Sequence, residues 1–277
     1  MTSKTSKKVV LITGASTGFG HASAEHLVTL GHRVYGTSRR AQFPDSVGSP
    51  SSVQMIPMDV CDNESVIEAV RFISEREGRI DVVVNNAGIG LAGAVEDTSV
   101  EEAKTLFETN FFGVLRVCRA VLPLLRSQGE GLIVNVSSLG GLVTIPFQGF
   151  YSASKYALES MSDAMRMELR PFGIRVVLLE PGDFKTGFTE SRVFSAEAGE
   201  GSVYQDSCQR AVAVMEHDER NGADPQRLAT LLARIITSPS PRNRYPVGAL
   251  GQRWAVAARR FVPSTLFDRA LSAIYKL

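Results

Sequence analysis

Val9-Val10-Leu11-Ile12-Thr13 is a short apolar run rich in β-branched residues, and Gly14-Ala15-Ser16-Thr17-Gly18-Phe19-Gly20 follows it at once. Behind the glycines, Ala22, Ala24, Leu27, Val28 and Leu30 recur at loosely helical spacing. A strand that runs through a glycine-rich turn straight into a helix constrains the fold more than any other feature here. That order opens a βαβ unit able to hold a dinucleotide. The glycines let the backbone approach a pyrophosphate, and the free N–H groups at the helix start face its charge. Taken alone, the segment is equally a plain tight turn.

The rest of the chain repeats the alternation. Segments 33–37, 53–57, 80–85, 131–137 and 174–180 read as further strands, and 63–77, 101–126 and 151–170 as helices, with a long irregular region after 180. Strands this apolar, separated by helices, imply an α/β protein. The expected architecture is a doubly wound Rossmann fold, a parallel sheet with helices on both faces and right-handed crossovers. No linker, repeat or low-complexity tract divides the 277 residues, so 1–277 reads as one domain. In such a sheet the ligand lies at the carboxyl ends of the strands, where Gly14, Asp59, Asn86, Ser138 and Pro181 fall.

Tyr151 and Lys155 are four residues apart, one helical turn on one face. A phenol beside a fixed ammonium ionises below its reference pKa of about 10 and can exchange a proton at working pH. A Tyr–Lys pair of this kind also occurs as plain surface stabilisation, so its company matters.

The glycine spacing is Gly-x-x-x-Gly-x-Gly. Together with Asn85-Asn86-Ala87-Gly88, Asn110, Ser138 and the Tyr151/Lys155 pair, it resembles the short-chain dehydrogenase/reductase family. Ser138 stands thirteen residues before Tyr151, the family's usual interval, and Pro181-Gly182 with Thr186 matches its cofactor-clamping segment. The resemblance runs over about 9–248. In layout, 147–157 and 244–248 are similar to its single-domain hydroxysteroid and retinol dehydrogenase branch.

The resemblance implies a catalytic set and a cofactor site. Tyr151 would protonate a carbonyl oxygen as hydride arrives, Lys155 would depress the phenol's pKa and hold the nicotinamide ribose, Ser138 would bond the substrate oxygen, and Asn110 would support a water chain to the lysine. Asn110 could instead simply satisfy a bend in a long helix. Gly14, Ser16, Thr17, Gly18, Phe19 and Gly20 would cradle the pyrophosphate, Asp59 and Val60 flank the adenine, and Asn86, Ala87 and Gly88 lie on the adenosine side. Pro181, Gly182 and Thr186 would close on the cofactor, which Tyr151 and Lys155 also touch. The second strand ends in Ser38-Arg39-Arg40, with no carboxylate before Asp45. An acid there would favour NAD, whereas an Arg accommodates a 2′-phosphate, so the expected cofactor is NADP(H).

Substrate choice is expected to lie in 139–150 and in a lid around 183–224. These carry Leu142, Val143, Ile145, Phe147, Phe150, Phe184, Phe188, Val193 and Phe194, of which about half would only pack on the core. The small, acidic stretch 195–201 suits a moving lid. The expected reaction joins a ketone and a secondary alcohol, or an aldehyde and a primary alcohol, on an apolar substrate such as a steroid or retinoid. Lys185 and Arg192 keep open a 3-oxoacyl thioester reductase, and a non-catalytic NADP-binding redox sensor is the third reading. Segment 252–277 mixes Trp254, Phe261, Phe267 and Leu271 with Arg253, Arg259, Arg260 and Arg269. It reads as an amphipathic segment packed on its own domain or a partner subunit, without stable membrane association.

Other classes fall away. The net charge of +1 gives no electrostatic case for nucleic acid. His21 and His26 lie five apart, roughly 140° around a helix, so they do not form a zinc pair, and no metal is expected. Cys61, Cys118 and Cys208 are too scattered for a disulfide framework and read as reduced thiols in a cytoplasmic protein, Cys118 in its core. Residues 1–8 are polar and the apolar run behind them too short for a signal peptide. By family resemblance, helices 110–126 and 151–170 form the usual interface of a homodimer or homotetramer.

Overall fold

The computed structural model describes residues 7–44, 49 and 51–277; Asp45 and residues 1–6 lie outside the described residues. Its strands are β1 Val9–Ile12, β2 Arg33–Ser38, β3 Gln54–Pro57, β4 Val82–Asn85, β5 Leu91–Ala92, β6 Gly131–Val136, β7 Ile174–Pro181, β8 Val193–Phe194 and β9 Arg244–Val247. Seven form one sheet in the order β3-β2-β1-β4-β6-β7-β9, every pair parallel. The helices are α1 Gly18–Thr29, α2 Asn63–Glu77, α3 Val100–Phe107, α4 Gly113–Gln128, α5 Gly149–Leu169, α6 Phe188–Ser191, α7 Gln205–Arg220, α8 Pro225–Thr237, α9 Leu250–Ala258 and α10 Ser264–Ile274.

Alternation along β1 builds both layers. Leu11 packs in one core with Val66 and Ala69 of α2, Val117 and Val121 of α4, and Leu158 of α5. Val10 and Ile12 face the opposite core with Ala24 and Leu27 of α1 and Leu228 and Leu232 of α8. Each fully buried Leu or Val contributes about 1.5–3 kcal/mol, so the sheet is held from both faces. Strand order reverses between β1 and β4, which opens a crevice at their carboxyl ends.

Three departures from the sequence reading have physical causes. Segment 101–126 is not one α-helix: a π turn, Glu108–Phe112, interrupts it between α3 and α4. Asn110 sits in that turn, fully buried, and holds the Ile89 backbone at both ends: its Oδ1 accepts from Ile89 N–H at 2.9 Å and its Nδ2 donates to Ile89 O at 3.0 Å. The region after 180 is largely regular. Asp224 caps α8, accepting from Gln226 N–H at 2.8 Å, and Pro225 occupies the first helical turn. A seventh strand, β9, runs through Pro246, which an edge strand tolerates.

Candidate active site

Thr13, at the end of β1, is the joint between the glycine turn and β4. Its hydroxyl accepts from Asn86 N–H at 2.9 Å and Ala87 N–H at 3.0 Å, and the Asn86 amide donates to Thr13 O at 2.9 Å and Gly14 O at 3.0 Å. Gly14 turns at φ +64° against the Ala87 backbone, a conformation other residues rarely adopt. A side chain at Gly20 would strike the Gly14 carbonyl and the Asn86 amide. The sequence reading missed Thr13; the signal was a hydroxyl at the strand end directly before the first glycine.

This joint floors a cleft of about 1110 Å³. Gly14, Ser16, Thr17, Gly18, Phe19, Ser38, Arg39, Asp59, Val60, Asn86, Ala87, Gly88, Ser138, Tyr151, Lys155, Pro181, Gly182 and Thr186 all line it. Gly20 and Asn110 stand behind the wall, Gly20 in the turn and Asn110 in the π turn.

The residues fit a dinucleotide. Thr17 caps α1 without a side-chain bond, which leaves the first-turn N–H groups to an anion. Asp59 is held in shape, its Oδ1 accepting from Cys61 N–H at 2.9 Å. Arg39 and Arg40 are exposed on the rim and form no ion pair among the described residues. The Arg40 N–H donates to Ser38 Oγ at 3.3 Å, which folds this turn against the cleft.

At the other end of the floor lie Ser138, Tyr151 and Lys155. Gln148 caps α5, and its first turn carries Tyr151 to the cleft with 8% exposure. Lys155 is 6% exposed and donates to Val136 O at 3.0 Å; its ammonium stands 5.8 Å from the Tyr151 ring centroid. Burial pushes the Lys155 ammonium down to about 8, opposed by Glu159. Burial pushes the Tyr151 phenol up to about 12, with Ser138 and Arg192 acting against the rise and Glu219 and Asp183 adding to it. Burial therefore acts against the depressed phenol expected from the Tyr151–Lys155 spacing. Asn110 reaches this group through Ser154, to whose Oγ its Nδ2 donates at 3.2 Å.

The substrate side is walled by late elements. Phe188 packs against Tyr151 with ring centroids 5.6 Å apart and planes tilted by 55°. Val143, Ile145, Phe184 and Phe188 line the cleft, whereas Phe147 packs on Ala92 and Val212, Phe150 on Leu91 and Leu106, and Val193 and Phe194 face outward. Stretch 195–201 is tethered: Ala196 N–H donates to Glu102 Oε1 at 2.8 Å, and Ser195 and Thr98 share a hydroxyl hydrogen bond of 2.8 Å. Segment 252–277 contributes two helices, α9 and α10, whose Gln252, Val256, Leu271, Ile274 and Tyr275 close the cleft. Gln148, Asp183, Asp218 and Glu219 also line it, and sequence reasoning assigned them no role. Arg192, kept open as a carboxylate receptor, is buried in an ion pair with Glu219. The cysteines are free, with Cys118 in the core. Among the described residues no three His, Cys, Asp or Glu side chains could hold a metal, and no helix is long and apolar enough to cross a membrane.

Residues 8–195 match the short chain dehydrogenase family. The chain is 43% identical over 270 residues to the 3-ketodihydrosphingosine reductase of Bacteroides thetaiotaomicron, covering 98% of each. Among solved structures, a short-chain dehydrogenase from Streptomyces avermitilis is 34% identical with a TM-score of 0.80, over 98% of this chain and 96% of that one. An alcohol dehydrogenase from the archaeon Thermococcus sibiricus, complexed with 5-hydroxy-NADP, is 27% identical with a TM-score of 0.71, over 88% and 97%.

Proposed function

This chain belongs to the short-chain dehydrogenase family, as an oxidoreductase acting on CH–OH and keto groups, and from that premise we propose that it reduces a long-chain ketone with NADPH. The observation that carries the reading is a buried Tyr151 beside Ser138 and Lys155, at the apolar end of a cleft whose far rim bears Arg39 and Arg40. Bound in this cleft, a nicotinamide dinucleotide supplies the hydride. Tyr151 gives its proton to the carbonyl oxygen, and Ser138 bonds the same oxygen as negative charge develops on it. Lys155, fixed to Val136 O, orients the ribose hydroxyls. Asn110 holds the Ile89 loop and Ser154 behind the lysine. Solved relatives hold both NADP-type and NAD cofactors, so the cofactor choice rests on Arg39 and Arg40, which form no ion pair among the described residues, and on the absence of an acid at Ser38.

Steroids and retinoids belong to the same apolar class; the name of the Bacteroides relative favours an acyclic chain. The thioester reading loses Arg192 to its ion pair, and the redox-sensor reading is disfavoured by the retained Ser138, Tyr151 and Lys155. Free thiols suit a reducing cytoplasm. Exposed Phe112 and Met167 suit a homodimer or homotetramer through the π turn and α5. The test follows NADPH absorbance with ketones of increasing chain length. Efficiency rising with chain length supports the proposal; turnover of 3-oxoacyl thioesters alone replaces it.

A further inference from the structure

The last two helices are apolar on two sides. On α9, Gln252, Ala255 and Val256 turn to the cleft, and Leu271, Ile274 and Tyr275 do the same on α10. At about 100° per residue, Leu250, Trp254 and Ala257 fall on the opposite side of α9, and Phe261 follows in the turn after it. Trp254 is 72% exposed and Phe261 87%, and Leu250 and Leu266 also stand in water. A helix that is apolar all round is normally buried on every side, so the outer face of α9 lacks a covering surface. Large apolar groups this close in the chain exceed the scattered exposure that any protein shows.

Charge identifies the cover. From 250 to 277 the chain carries five cations, Arg253, Arg259, Arg260, Arg269 and Lys276, against one acid, Asp268, whereas the whole chain is only +1. All five are exposed, and none forms an ion pair among the described residues. Arg259 lies over the Phe267 ring, 5.7 Å from its centroid, which ties the turn after α9 to α10. A second copy is a poor cover, because a two-fold interface sets this basic patch against itself. An anionic lipid surface meets both needs. Its acyl border takes Leu250, Trp254 and Phe261, its headgroups take the guanidinium groups, and tryptophan is favoured at that depth.

We propose that α9 and the turn after it dock reversibly on anionic lipid through Leu250, Trp254, Phe261 and the neighbouring arginines, which sets the cleft one helix away from a bilayer. The contact is peripheral: no helix among the described residues is long and apolar enough to cross a membrane. A helix with its side chains is about 10–12 Å across, so a long-chain ketone dissolved in the bilayer has only α9 to pass. That route rests on the ketone-reductase reading; the docking itself does not.

Trp254 is the chain's single tryptophan, so its emission reports on this face directly. The full chain is mixed with vesicles of phosphatidylcholine alone or of phosphatidylcholine with phosphatidylglycerol. The expected result is a blue shift of Trp254 and co-sedimentation with the anionic vesicles only, both lost at about 1 M salt, where the Debye length is about 3 Å. Arg253→Gln with Arg260→Gln should weaken that binding about thirtyfold. Arg71→Gln with Lys104→Gln, at exposed positions on α2 and α3, should change it little. Neither pair lines the cleft, so turnover of a short, water-soluble ketone should hold in both, while turnover of a long-chain ketone carried in anionic vesicles should fall only in the first. Equal binding to neutral vesicles, or binding to neither kind, overturns the docking. A blue shift that follows protein concentration without lipid assigns the face to a second copy and overturns it as well. Equal losses in the two pairs overturn the assignment to α9. If the anionic vesicles bind as expected and no ketone is reduced, the ketone-reductase reading falls and the lipid surface stands.

Discussion

The two ends of the cleft are made in different ways. At the cofactor end, recognition is written mostly in backbone: Thr13, Gly14, Asn86 and Ala87 lock one another through four hydrogen bonds within 3.0 Å, and α1 presents bare N–H groups. At the substrate end, the wall is side chains from α6, α7, α9 and α10, brought together from positions more than 60 residues apart in sequence. The first end depends on a few exact approaches and tolerates little change. The second can be recast by single substitutions while the sheet beneath it stays the same.

The sharpest way to break this comparison is at the seam between the two ends. Tyr151→Phe removes only the proton donor, so turnover should fall by about 10²–10⁴-fold while NADPH binding, followed by fluorescence, persists. Retention of more than about a tenth of kcat would show that another acid serves. Ser38→Asp with Arg39→Ala should move the preference from NADPH toward NADH by on the order of a hundredfold, since it removes a charge-assisted phosphate contact. An unmutated enzyme that binds NADH more tightly than NADPH contradicts the reading of that rim.

Thr13→Val probes the backbone-built end. It strips the acceptor from two N–H groups at a buried joint, at about 1–3 kcal/mol each, and should lower Tm by roughly 5 °C or more. Phe188→Ala, at the side-chain end, should leave Tm nearly unchanged and mainly raise KM for long-chain ketones. Equal thermal losses in the two variants would erase the distinction. The smallest effect is a titration. The Lys155 ammonium should lose its proton near pH 8 in the cofactor-free protein, below its ordinary 10.5, because burial disfavours its charge. Between pH 8 and 10.5 the folded chain then binds fewer protons than the unfolded one. The penalty is full below pH 8, and stability rises as pH climbs through that window. Lysine side-chain NMR should show one resonance with this midpoint, missing in Lys155→Met; its absence from the unmutated protein would refute the burial argument.

Much of the first end was legible in the sequence because its information is local. Val9–Ile12, Val82–Asn85 and Gly131–Val136 are apolar runs long enough to be strands and little else, and the spacing of Ser138, Tyr151 and Lys155 survives folding as a shared site. The edge strand β9 was hidden because Arg244-Tyr245-Pro246-Val247 carries a charge and a proline. The direction of the Tyr151 shift was hidden too: spacing reveals the lysine but not the depth of burial. Gln148, Asp183, Asp218 and Tyr275 meet only in three dimensions, and nothing in their local sequence marks them.

The π turn at Glu108–Phe112 stores a residue of the chain. An i→i+5 turn holds one residue more than an α turn, so it takes up that residue while Val114, Val117 and Val121 of α4 stay in the core. Deleting one residue here would let α3 and α4 join as a regular helix with the same buried face. What it would displace is Asn110, and with it the bonds to Ile89 and Ser154, so the loss of a single codon in this turn should spare the fold and cost activity.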